Sequence, residues 1–201
     1  MSKFDDPVRA TGATALFPLH PDDYEWLYRV SLSEFNSLRW RYRGQVPPFE
    51  LFVQQLHSDV LVQFVAFDRD SGLPIGHVVA YAADMRNRHC YIGVVMDEHT
   101  RGHGRGSECL GLLSDYLFET WGFHKIFAEV PAFTLEPMQG KMDRLQPQAL
   151  SFDIEGVLTE YLYHNGKFWD MYLVSTSLAS WLQSAAAADD SGAHIAEESA
   201  S

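Results

Sequence analysis

Cysteine is nearly absent from this chain. Cys90 and Cys109 are the only two in 201 residues, and two cysteines without a repeated spacing support neither a disulfide framework nor a zinc site. No apolar run approaches the ~20 residues of a membrane-spanning helix. The opening MSKFDDPVRATG lacks the hydrophobic stretch of a secretion signal, so a reducing cytoplasm is the expected setting. Basic residues are scarce too: 15 Lys and Arg stand against 27 Asp and Glu, a net charge of −12. Such a balance argues against a nucleic-acid partner, which calls for clustered Lys and Arg. It suits a cationic small molecule or a basic peptide. The stretch SLRWRYRGQ (37–45) does alternate Arg39, Arg41 and Arg43 with Trp40 and Tyr42. Three arginines in an acidic protein read better as a substrate-side loop, or as salt-bridged arginines around Trp40, than as a nucleic-acid contact.

What is present fits one domain. Residues 1–182 carry the apolar periodicity, whereas QSAAAADDSGAHIAEESAS (183–201) has no aromatic residue and no Lys or Arg. That end is expected to be a disordered acidic tail. Along the body, ATALFPL (13–19) reads as a first strand. Pro21, Asp22 and Asp23 open a helix running to about Phe35, and two prolines open another at PFELFVQQLHS. VLVQFVAFD and PIGHVVAYAAD flank RDSGL as a hairpin, and HCYIGVVM (89–96) follows as a third strand. A helix spans about Gly104 to Trp121 with Gly122 as its stop, followed by the strand KIFAEV. Residues 131–154 hold Pro131, Pro137 and Pro147 around a short helix. EGVLTEYLYH and FWDMYLVSTS then close the chain as a hairpin turned by Asn165-Gly166. Strands and helices mix without strict alternation, which favours a mixed α/β sheet covered by helices.

The segment VVMDEHTRGHGRGSECLGLL (94–113) sets three glycines in five positions at a helix start. Glycine costs conformational entropy, so a cluster implies that something approaches the backbone closely. A Walker loop requires a lysine that is missing after Gly106. A dinucleotide turn fits better, since Gly102-His103-Gly104 opens a helix and Glu129 ends the next strand. It ranks second, because Ser107 replaces the required small residue and DEHTR separates the strand from the first glycine. A diphosphate on bared amides at a helix mouth is the leading reading.

The whole string Arg101-Gly102-His103-Gly104-Arg105-Gly106 matches R/Q-x-x-G-x-G/A, with HCYIGVVM and DEHT before it. It resembles the acetyl-CoA clamp of the GNAT acetyltransferase superfamily. The element order is also that of a GNAT domain, and EGVLTEYLYHNGKFWDMYLVS is similar to the closing hairpin of the branch typified by ribosomal-protein N-terminal acetyltransferases, the RimJ/RimL type. The resemblance implies a GNAT-like, mostly antiparallel twisted sheet, with a V-shaped split between central strands and helices on both sides. It further implies acetyl-CoA as co-substrate. Val94, Val95 and Met96 would pair with the pantetheine through main chain, one amide there facing the thioester oxygen. Arg101, Gly102, His103, Gly104, Arg105, Gly106 and Ser107 would cradle the diphosphate. One segment departs from the family: where it often carries asparagine, serine and a proton-donating tyrosine, this chain has Gly140, Asp143 and Pro147.

Acetyl transfer to an amine needs the neutral nucleophile, and an alkylamine with a pKa near ~10.4 is almost wholly protonated at neutral pH. A base must therefore take a proton, often through water. His89, on the strand entering the clamp, and Glu34, late in the first helix, are the candidate catalytic residues; His89 reads equally as a strand-end side chain and Glu34 as a solvated helix position. Asp97 is expected to cap the turn. His99 and His103 lack a further ligand type, so no metal is expected. No cysteine has a visible basic partner, which favours direct transfer in a ternary complex over an acyl-enzyme, with Cys90 the minor exception. The expected activity is N-acetylation of a primary amine, small molecule or protein N-terminus, with a non-catalytic acyl-CoA sensor as the alternative. The closing hairpin offers an edge through which two copies can pair.

Overall fold

The computed structural model describes residues 6–37, 42–100, 104–135 and 152–184. Its strands are β1 (Arg9–Ala10), β2 (Thr14–Pro18), β3 (Val60–Asp68), β4 (Pro74–Asp84), β5 (His89–Met96), β6 (Lys125–Pro131), β7 (Asp153–His164) and β8 (Lys167–Ser177). They form one sheet in the order β1-β2-β3-β4-β5-β6-β8-β7. All neighbours are antiparallel except β5 and β6. The helices are α1 (Tyr24–Leu32), α2 (Glu34–Ser37), α3 (Phe49–Gln55), α4 (Arg105–Tyr116), α5 (Ala132–Leu135) and α6 (178–184). This is the expected mixed sheet between helices.

Period-two alternation sorts the sheet residues into two cores. Val78, Ala80, Cys90, Ile92 and Ile126 pack beneath Cys109, Leu112 and Leu113 of α4. Val79 and Val95 turn to the opposite face, against Leu27 and Val30 of α1 and Phe52 of α3. The sheet is thus covered on one side by α4 and on the other by α1 and α3.

Several boundaries differ from the sequence reading for local reasons. The first helix stops early because Ser33 leaves the helical region (φ −58°, ψ 149°), and α2 restarts after it. The expected Gly104–Trp121 helix is α4 continued by a π-helical turn, Leu117–Trp121. Gly122 ends it at φ 61°, as expected, and its carbonyl accepts from Arg88 Nε at 2.8 Å. Asn165 (φ 49°) and Gly166 (φ 81°) turn the closing hairpin. Residues 183 and 184, counted with the tail, lie in α6; the rest of the tail and most of 131–154, with Gly140, Asp143 and Pro147, lie outside the described residues. No helix among the described residues is long and apolar enough to cross a membrane.

One rung ties the closing hairpin to the central sheet. Glu155 of β7 pairs with Lys125 of β6 and accepts from Ser175 Oγ of β8 at 2.6 Å. Lys125 first, then Ser175, holds the Glu155 carboxyl below the ordinary carboxylate range. A group depressed by folding contributes stability above its unfolded pKa and loses it as pH falls through its folded one. Melting curves between about pH 6 and pH 3 should therefore show an acid-side loss of stability that Glu155→Gln reduces; superimposable profiles would refute the assignment.

Candidate active site

β5 and β6 run together for only three pairs: His89 with Lys125, Cys90 with Ile126, Tyr91 with Phe127. Beyond them β5 follows β4 as far as Met96, opposite Gly76, while β6 follows β8 to Pro131, opposite Met171. The strands part into a fork with its apex at Tyr91 and Phe127. Along 92–96, alternate residues of β5 turn their N–H and C=O groups into that fork, with no strand paired there among the described residues. Val94 and Met96 place their side chains toward the α4 core and Val95 toward the α1/α3 core. Asp97 N donates to Ile75 O of β4 at 2.9 Å, so by alternation Val95, opposite His77, also turns its main chain to β4, and of the three expected contacts only Val94 and Met96 face the fork. The Met96 carbonyl already accepts from Asn36 Nδ2 at 3.0 Å, and Asn36 also donates to Val30 O at 2.9 Å, so α2 is bolted to the end of β5. β4 approaches closely here: a Cβ on Gly76 would lie 2.7 Å from Met96 Sδ and 3.0 Å from Val95 O.

At the mouth of α4, Gly104 is the N-cap with φ 77° and ψ −4°, a left-handed conformation that glycine adopts freely. Gly104 brings no side chain to cap the helix, and the first-turn amides of Arg105, Gly106 and Ser107 have no intrahelical partner. A Cβ on Gly104 would meet nothing within 4 Å. Among the described residues nothing crowds that position. The Arg105 guanidinium turns away: it reaches Asp68 Oδ2 at 2.7 Å, Thr14 Oγ1 at 2.9 Å and Glu108 Oε2 at 3.3 Å. It pins the helix start to β2 and β3, so what Arg105 turns to the helix mouth is its backbone amide and not its guanidinium. Arg101, Gly102 and His103 lie outside the described residues. Asp97 caps the following turn by accepting from His99 N at 3.0 Å, as expected.

The face opposite α4 carries an aromatic ladder across the apex. Tyr81 of β4 lies 5.8 Å from Tyr91 of β5, which lies 5.4 Å from Phe127 of β6. Glu129 follows Phe127 by two residues on the same face, inside the fork. Arg43, from the turn after the 38–41 segment, meets Glu129 at 3.5 Å and donates to the Tyr161 hydroxyl of β7 at 3.3 Å. Burial first, and then the Glu129 charge, pushes the Tyr81 phenol up to about 12, so it stays protonated.

The sequence candidates are distributed unevenly over this site. His89 is on the aromatic face but on the closed side of the apex, with its ring edge-on to Phe127 at 5.7 Å and Nε2 3.8 Å from Asp84. Glu34 begins α2, and its side chain lies outside the described residues. Cys90 points into the α4 core, where burial raises its thiol to about 12; a thiol so protonated is a poor acyl carrier. No cluster of three metal-ligating side chains occurs among the described residues. Sequence reasoning overlooked Tyr81, Asn36 and Tyr161, and it weighed Glu129 only as a dinucleotide ligand. The alternation of Tyr81, Tyr91, Phe127 and Glu129 with apolar residues was the available signal.

Over residues 27–136 the sequence matches the pattern of the acetyltransferase (GNAT) family. The chain belongs to the GNAT acetyltransferases. The acetyl donor of this family is acetyl-CoA. The fold is shared with spermidine N-acetyltransferase from Vibrio cholerae in complex with CoA and spermine, at 18% identity and a TM-score of 0.69, covering 86% of this chain and 99% of that one. The spermidine/spermine N-acetyltransferase SpeG from Vibrio cholerae in complex with manganese ions aligns at 19% identity and a TM-score of 0.67, covering 85% and 96%. No curated protein matches the sequence.

Proposed function

We propose that this GNAT acetyltransferase acetylates a cationic primary amine by direct attack in a ternary complex. The observation that carries the reading is the junction of two features at one fork: unpaired strand and helix-mouth amides on one side, and an aromatic face with a carboxylate on the other. The similar folds with spermidine and spermine in their names support a polyamine-like acceptor over a ribosomal-protein N-terminus, the substrate that the RimJ/RimL resemblance implies.

Within this reading the chain's own groups divide the work. The first-turn amides of α4 hold the diphosphate. The main chain of Val94 and the amide of Met96 align the pantetheine, and an amide facing the thioester oxygen stabilises the charge that develops on it. Acetyl-CoA supplies the activated acyl group, with a thiolate as leaving group. The rings of Tyr81, Tyr91 and Phe127 receive the acceptor's reacting ammonium at the apex, with the Glu129 carboxylate two residues farther along β6. His89, through a water, or Glu34 takes the proton that frees the nucleophile. The exposed hairpin, with Ile154, Tyr163 and Phe168 each about three-fifths accessible, is the surface through which a homodimer would form.

The test is thiol release from acetyl-CoA across spermidine, small monoamines and peptides with free N-termini, beside calorimetry with acetyl-CoA. Turnover with polyamines supports the reading. Tight binding with no thiol release for any acceptor would favour the sensor, and turnover confined to peptides would return the assignment to the N-terminal branch.

A further inference from the structure

The aromatic face of the fork carries two of the chain's own cations. Lys125 Nζ stands 5.4 Å from the centre of the Phe127 ring, and Arg43 Cζ stands 5.7 Å from that of Tyr161. The two are held differently. Lys125 is fixed by Glu155, which Ser175 also engages. Glu129 takes no hydrogen bond other than that from Arg43 among the described residues, and at 3.5 Å this one is at the limit of such contacts.

Arg43 is anchored at its base and loose at its tip. Its backbone has φ 45°, in a turn closed by Gln45 N to Tyr42 O at 2.9 Å and Gly44 N to Ser37 O at 2.8 Å. Its side chain is 54% exposed, whereas that of Glu129 is 33% exposed. An ion pair so open to water is weak and readily exchanged. Around it stand Tyr161, Tyr81 and Glu129, a carboxylate with aromatic rings, which is what recognises an alkylammonium.

We infer that Glu129 and Tyr161 form a box for a second ammonium of the acceptor, and that Arg43 fills this box when no acceptor is bound, acting as an internal competitor that sets specificity for diamines. The inference rests on the acetyl-transfer reading and deepens it: the reacting amine sits at the apex by Tyr91 and Phe127, and the distal one displaces the guanidinium. Tyr161 and Glu129 both raise the Arg43 pKa, so the competitor stays charged wherever an amine substrate is itself charged. Competition is then between cations of the same charge, decided by fit.

The experiment compares putrescine with butylamine, which has the same carbon chain and no second amine. Arg43→Gln should lower the putrescine KM about 3-fold, the worth of one exposed ion pair, and leave that of butylamine unchanged. Arg43→Lys keeps the competing charge and should behave like the native chain. Glu129→Gln should raise the putrescine KM, and adding Arg43→Gln to it should have no further effect. A putrescine KM that is unchanged or raised by Arg43→Gln would overturn the inference, as would an equal fall for butylamine. Calorimetric titration of the CoA-loaded protein with putrescine reports the same competition without turnover. Failure of acetyl transfer and failure of the box are thus separable: tighter putrescine binding by Arg43→Gln without catalysis sinks only the former, and binding by neither protein sinks the box.

Discussion

Replacing Gly104 by glutamate is expected to abolish acetyl-CoA binding while leaving the domain folded. The residue has φ 77°, and no atom of the described residues lies within 4 Å of the position a Cβ would take. The cost to the free protein is thus mainly that of a left-handed non-glycine residue, about 1–2 kcal/mol. For a chain of this length that lowers Tm by roughly 2–8 °C. The effect on the ligand is larger, because the new carboxylate enters the helix mouth, takes the first-turn amides for itself and repels the diphosphate. Losing two charge-assisted hydrogen bonds at about 1.5–3 kcal/mol each removes at least ~100-fold in affinity. Gly106→Ala is the informative companion. Its Cβ would meet Met96 Cγ at an ordinary 3.5 Å, and alanine stabilises a helix by about 0.5–1 kcal/mol over glycine. Free protein that melts slightly higher but binds acetyl-CoA less well would show that Gly106 serves the ligand and not the fold. Unchanged affinity of Gly104→Glu in calorimetry would remove the diphosphate from this helix mouth.

How much of this was legible in the sequence follows from the range of the interactions. β4 and β5 were readable to the residue, because alternation along His89–Met96 and Pro74–Asp84 is a local signal. Gly122 and Asn165-Gly166 were readable because positive φ restricts residue choice. Gly104, at φ 77°, was readable for the same reason. The aromatic side of the fork was not readable. Arg43, Glu129 and Tyr161 come from three separate segments and meet only once β8 has inserted between β6 and β7. Arg105 shows the converse limit: its place in the motif suggested a phosphate ligand, yet Asp68, far back in the chain, claims its side chain. Motif spacing locates backbone donors better than it locates side chains whose partners are distant.

The two cores also make separable predictions, and Phe52→Ala carries the largest expected loss of stability. Phe52 is fully buried and has Tyr28, Tyr42 and Phe49 around it, with ring centroids at 5.1, 5.8 and 6.4 Å. Truncation of such a residue costs about 3–5 kcal/mol through lost transfer energy and an unfilled cavity. Against a typical net stability of about 5–15 kcal/mol, that is a large fraction, and Tm should fall by roughly 10 °C. The functional consequence should be one-sided. Phe52 supports Tyr42, the residue next to Arg43, and Tyr28, whose hydroxyl donates to Pro47 O at 2.9 Å; these frame the acceptor face. Leu113→Ala, equally buried on the sheet-facing side of α4 itself, loosens the helix whose mouth is the proposed diphosphate site. Below its Tm, Phe52→Ala should therefore raise the acceptor KM more than it weakens acetyl-CoA, and Leu113→Ala should do the reverse. Both ligands losing equally in each variant would mean that the sheet transmits the damage, and that the donor and acceptor sites are not supported by separate cores.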